Sequence, residues 1–93
     1  MIKQPKGLIS ILLDVNAEFS ERDDAAMDLC SFDEPEVEEA LLKIVLDRDE
    51  YEILVDSAGE SLREIWNRKG YFNNELVIKM HPSAKSYFTP SVN

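Results

Sequence analysis

Apolar side chains return at steps of three and four residues along most of this chain, and that spacing constrains its fold more than any other feature. Leu8, Ile11, Leu12, Val15 and Phe19 form one such series, and Val37, Ala40, Leu41, Ile44 and Val45 form another. Residues at these steps share one side of an α-helix, whereas a half-buried strand needs strict alternation. Each helix then carries an apolar stripe that another helix has to cover. The expectation is an all-α domain without sheet.

Local signals divide the pattern into about five helices. Residues 1–7 are a polar, basic lead-in containing Pro5 and Gly7, expected to be loose. A first helix is expected from Leu8 to Phe19. Ser20, with Asp23 three residues on, offers a capping oxygen to a second helix through Phe32, with Ala25, Ala26, Leu29 and Phe32 inward. Asp33 is the expected N-cap of a third helix that runs to about Asp47. Pro35 is tolerated in its first turn, where N–H groups have no intrahelical partner, and Glu34, Glu36, Glu38 and Glu39 suit the positive end of its dipole. Asp47 to Glu50 forms a short charged turn. The fourth helix spans Tyr51 to Lys69, with Leu54, Ala58, Leu62, Ile65 and Trp66 on one side. Arg68 and Lys69 lie at the negative end of its dipole, and Gly70 is its C-cap. Gly59 inside it costs about 1 kcal/mol against alanine, so its presence points to another backbone passing close. Asn73 starts a short fifth helix through Met80, which Pro82 interrupts. Ser83 to Phe88 has room for a further turn or two before an expected loose end at 89–93.

A shift of 33 residues lays Asp23 on Asp56, Ala25 on Ala58, Ala26 on Gly59, Leu29 on Leu62 and Phe32 on Ile65. Small residues followed by larger ones thus recur along one helix face. The small ones let the next layer approach, and the large ones fill the space between. A period near 33 with two helices per unit is the pattern of a short α-solenoid. With 93 residues, the chain is expected to be a single domain with one modest core.

The formal net charge of −9 is unevenly spread. Between Asp14 and Glu64 stand 18 acidic and 4 basic residues, while outside that span one acid, Glu75, faces 6 basic residues. Such a field repels nucleic acid and anionic membrane and attracts a basic protein. Solubility alone accounts for part of it. One row is harder to explain that way. Glu52, Asp56, Glu60 and Glu64 recur at four-residue steps along one stripe of the fourth helix, where like charges repel by about 0.2–0.5 kcal/mol per pair. A row that costs stability invites a basic partner as its reason. Asp23, Asp24 and Asp28 on the second helix, and Asp49 and Glu50 in the charged turn, complete the acidic part of the candidate partner-binding set. Trp66 reads first as a core tryptophan and second as an interface anchor, and it joins the set in that second role.

No catalytic or metal-binding constellation is legible. His81, the sole histidine, precedes Pro82 near a helix end and reads as structural or exposed. Cys30, the sole cysteine, permits no internal disulfide, fits a reducing cytoplasm, and reads as a small buried hydrophobe. Asp24 and Asp28 share a helix face, but no glycine-bearing calcium loop accompanies them. There is no glycine-rich phosphate loop, and basic and aromatic residues interleave only weakly, over Arg68 to Phe72. No apolar run approaches the roughly 18–20 residues that span a bilayer. The stretch Leu8 to Leu13 lacks a small-residue cleavage site and is soon followed by Asp14 and Glu18, so it does not read as a signal peptide. The expectation is therefore a cytoplasmic binding protein, not an enzyme, with no cofactor, metal, nucleic acid or membrane partner.

The segment Arg22-Asp23-Asp24-Ala25-Ala26-Met27-Asp28-Leu29 is followed by Asp33-Glu34-Pro35-Glu36-Val37-Glu38-Glu39-Ala40-Leu41-Leu42. Together they resemble the HEAT-like repeats of bacterial proteins: an alanine-faced helix, an acidic-proline turn, and a helix ending in Ala-Leu-Leu. Ala58-Gly59-Glu60-Ser61-Leu62-Arg63-Glu64-Ile65-Trp66 marks the next unit. The resemblance covers residues 21–69 and implies HEAT-like helix pairs. Short acidic HEAT-like proteins of this kind resemble immunity proteins of bacterial toxin systems, including contact-dependent growth inhibition. That likeness implies binding and neutralising a cognate toxin, often a nuclease, with the acidic face plugging its basic cleft. The alternative is a HEAT-like scaffold or adaptor without a toxin partner. A small lyase-like HEAT enzyme acting on a chromophore finds no support in the residues.

Overall fold

Helices make up the regular structure of residues 3–89, the part that a computed structural model of the chain describes; no strand occurs among them. In chain order they are α1 (Lys6–Leu13), α2 (Phe19–Asp28), a single 3₁₀ turn (Leu29–Ser31), α3 (Pro35–Val45), α4 (Glu52–Lys69), α5 (Asn74–Lys79) and α6 (Pro82–Lys85). Of the loose ends expected at 1–7 and 89–93, residues 1–2 and 90–93 lie outside the described residues. Lys6 and Gly7, expected in the lead-in, are already helical.

The first helix is shorter than its apolar spacing predicts. It stops at Leu13 because Asp14 turns to an extended conformation and its Oδ1 accepts the Asn16 N–H at 2.9 Å, a local turn that competes with the helix. Val15 is left exposed in the loop, and Phe19 opens α2 instead of closing α1. Ser20 is consequently not a cap. The cap position belongs to Glu18, and no side chain bonds the first-turn N–H groups. Asp33 is also not the cap of α3. Glu34 holds that position, and the Asp33 carboxylate is taken by Arg68 from α4, at 2.9 Å from Nε and 2.6 Å from Nη2. At the other end of the chain the local signals hold. Gly70 adopts the left-handed conformation at φ 66°, and the Tyr71 N–H closes back on the Trp66 carbonyl. Asn73 caps α5 by accepting the Leu76 N–H.

Packing proceeds by pairs. α1 lies on α2 and α3 on α4; α2 then packs on α4, and α1 reaches α3. Leu12, Leu29, Val37, Leu41, Leu54 and Leu62 are fully enclosed between them. α6 closes the far side of α4 at Gly59. A β-carbon built there would stand 2.9 Å from the Ala84 Cβ and 3.0 Å from its Cα, so glycine is what lets the two helices meet. His81 ties this last layer down. Its N–H donates to the Val45 carbonyl at the end of α3, and its Nδ1 accepts the Ser83 N–H at the start of α6.

Polar groups inside the domain mark the joints between helices. Ser61 on α4 donates its hydroxyl to the Ala26 carbonyl of α2 at 2.5 Å. Arg22 on α2 gives its Nε–H to the Leu12 carbonyl at the end of α1 and its Nη2 to Glu50 Oε2 in the α3–α4 turn, at 2.9 and 3.1 Å. Arg68 and Lys69 act at the opposite end of α4. Beyond Asp33 itself they hold the Cys30 carbonyl, the Asp33 carbonyl and the Glu38 carboxylate. They thus clamp the α2–α3 connection as well as suiting the helix dipole.

Candidate protein-binding surface

α4 turns two very different faces outward and inward. Leu54, Val55, Ala58, Gly59, Leu62, Ile65 and Trp66 are buried, whereas Glu52, Asp56, Glu60 and Glu64 all lie on the exposed side. The expected acidic stripe is therefore a real surface feature. None of its four carboxylates forms an ion pair among the described residues. Arg63, the basic residue nearest in sequence, places its guanidinium 5.8 Å from the Phe88 ring centre. Asp56 accepts the Tyr87 hydroxyl at 2.9 Å. Burial and that bond to Asp56, with the Asp56 and Glu60 charges, push the Tyr87 phenol up to about 12.

The second helix runs parallel to α4. Phe19 at the start of α2 meets Tyr51 at the start of α4, edge to face with ring centres 5.7 Å apart. Ala26 meets Ser61 midway, and the Cys30 carbonyl meets Arg68 near the ends. Asp24 and Asp28 are exposed. Asp28, about 200° round the helix from Ala26, faces away from α4 and does not extend its stripe. Asp23 is half-buried, with Oδ1 enclosed and unpartnered among the described residues. At the last turn of the pair, burial and the hydrogen bond that the Cys30 thiol donates to the Glu64 carboxylate raise that thiol above its ordinary value.

Three members of the candidate set sit differently from the acidic row. Glu50 is half-buried and occupied: it accepts Arg22 through one oxygen and the Tyr51 N–H through the other. Asp49 is exposed in the turn beside it. Trp66 is 1% exposed, wedged edge-on among Tyr71, Phe72 and Phe88 at 5.0–6.1 Å between ring centres. That enclosure makes it a core residue and removes it as a direct anchor. Its Nε1 has no partner among the described residues.

Two groups lie outside the sequence expectation. Arg22 is the strut between α1 and the α3–α4 turn, a role that no local pattern signals. Ile53 lies off the Leu54–Ala58–Leu62 stripe, which was a legible sign of exposure. No pocket is present among the described residues, and no group of three or more His, Cys, Asp or Glu side chains is placed to hold a metal ion. No helix is long and apolar enough to cross a membrane. The chemistry on offer is that of a charged surface. No protein-family model matches the chain, and comparison with curated proteins and with solved structures yields no match.

Proposed function

We propose that this protein is an immunity-type inhibitor that binds a basic protein, a toxin domain such as a nuclease, through the acidic face of α4. The observation that carries the reading is the row Glu52, Asp56, Glu60 and Glu64. These are four carboxylates in one line, exposed, and without an ion pair among the described residues. Their mutual repulsion is relieved when a partner supplies Lys or Arg, and opposite charge speeds the encounter. The pairwise packing of α1 with α2 and α3 with α4, and of α2 on α4, supports a short HEAT-like solenoid as the frame. In that frame α4 carries the binding face, while Asp24 lies with Asp28 on the side of α2 turned away from the row. A cytoplasmic location follows from the same reading.

The test is whether a basic toxin domain is encoded immediately beside this gene and whether this protein binds it, measured by calorimetry across a salt series. Nanomolar affinity that weakens with salt, and rescue of cells expressing that protein, are the expected results. Glu60→Lys combined with Glu64→Lys is expected to weaken binding at least tenfold and to flatten the salt dependence. Unchanged affinity and salt slope in that variant, with the helical spectrum intact, would refute the acidic face as the binding surface.

A further inference from the structure

The pole where α2 and α4 begin carries a second kind of surface. Val15 is 78% exposed, Tyr51 66% and Ile53 65%, and Phe19, more than a third exposed, stacks edge-on against Tyr51. They come from two separate loops and the helix starts that follow them. Arg22 holds those loops together, bonding the end of α1 with one arm and Glu50 with another. Large apolar side chains gathered at one pole mark an interaction site, because isolated ones are ordinary but clusters are not. The two rings rest on each other, and the buried Arg22–Glu50 pair ties together the loops that carry them, so less freedom is lost on docking than for unpaired rings on untethered loops. The rim is acidic: Asp14, Glu18, Asp49 and Glu52 are exposed around it, with Arg48 the single exposed base in those two loops.

We infer that this pole is the apolar anchor point for a basic protein segment, one that presents an aromatic or aliphatic side chain flanked by Lys or Arg. The acidic rim matches the flanking cations, and the Phe19–Tyr51 pair with Ile53 takes the apolar side chain. Nucleic acid and anionic membrane are repelled by the same rim. The inference rests on the reading that the acidic face receives a basic protein, and adds where the partner's apolar contact falls. Charge along α4 then governs the rate of encounter, and the pole governs how long the partner stays.

Two synthetic peptides separate the contributions: a labelled Lys/Arg peptide with a central Trp-Leu pair, and the same peptide with Ser-Ser at its centre. Fluorescence anisotropy with the full chain reads both affinities. The Trp-Leu peptide is expected to bind about tenfold tighter, the effect of one well-seated anchor. Tyr51→Ser combined with Ile53→Ser should erase that advantage while leaving the Ser-Ser peptide unchanged. Both positions are two-thirds exposed, so the fold tolerates the change, and Val15→Ser provides a single-site check on the other loop. Glu60→Lys combined with Glu64→Lys should weaken both peptides alike. Equal affinity of the two peptides for the native chain, or an advantage that survives Tyr51→Ser with Ile53→Ser, overturns the anchor and leaves the acidic face standing. If neither peptide binds, or charge reversal on α4 changes nothing, the acidic-face reading fails and the anchor falls with it.

Discussion

Replacing Arg22 by methionine tests whether one buried ion pair holds the α2/α4 pole together. The Arg22 side chain is 5% exposed and the Glu50 side chain 11%. Methionine keeps much of the apolar stem and loses both bonds. Glu50 is left with an uncompensated, largely enclosed charge, and the Leu12 carbonyl loses its donor. Breaking a buried pair from one side costs about 3–5 kcal/mol, against a total stability of about 5–14 kcal/mol for a domain of this length. Glu50→Gln removes the charge but keeps an acceptor, so a smaller loss of about 1–3 kcal/mol is expected. Arg22→Met combined with Glu50→Leu removes both charges and should recover much of what the arginine variant loses. Urea unfolding, followed by helical circular dichroism and by the fluorescence of buried Trp66, measures each step; equal slopes would show that the denatured state is unchanged. A loss below about 1 kcal/mol for Arg22→Met, the value of a surface pair, would refute the account. So would strict additivity in the double variant.

The Gly59 contact makes a sharper steric prediction. Gly59→Ala gains about 1 kcal/mol of helix propensity but drives a methyl into Ala84, an overpacking that costs about 1–3 kcal/mol; a net loss of stability is expected, and Ala84→Gly in the same chain should recover only part of it, because the close approach to the backbone at position 84 remains. A stabilised single variant would mean that α6 does not lie on α4 in solution. Tyr87 predicts a pH dependence. Its folded-state value is raised from 10.0 to about 12, so its contribution is complete below about pH 10 and is lost as pH rises through about 12. Tyr87→Phe should show a shallower decline over that interval, and superimposable curves would show that the phenol does not meet Asp56.

Periodicity carried the fold class and the inward face of α2, α3 and α4, because a buried stripe leaves its spacing in the sequence whatever covers it; along the first series only Leu12 is buried, and Ile11, Val15 and Phe19 stand exposed. Gly59, Gly70 and Asn73 were legible for a related reason. Each answers a local demand of its own backbone or its nearest neighbour, and residue type alone reveals that demand. The caps at Ser20 and Asp33 were misread because a capping side chain has competitors. Asp14 closes a turn that shifts the helix start to Phe19, and Arg68, 35 residues further on, claims the Asp33 carboxylate.

The acidic stripe on α4 was also legible, since four residues are one turn and a bit, and a repeated charge at that step has to line up. Which acids remain unengaged was not. Glu50 and Glu60 look alike in sequence, yet one is bound to a buried arginine from another helix and the other meets water. Trp66 and Tyr51 make the same point for aromatic residues: Tyr51 stands at the N-cap of α4 and Trp66 near its end, and the packing of the chain after Gly70 encloses Trp66 while Tyr51, met only edge-on by Phe19, stays two-thirds exposed. Spacing along a helix determines which side a residue is on. Whether that side is covered depends on segments far away in the chain, and so the engaged acids, the enclosed tryptophan and the exposed aromatic pole were decided only when the helices packed.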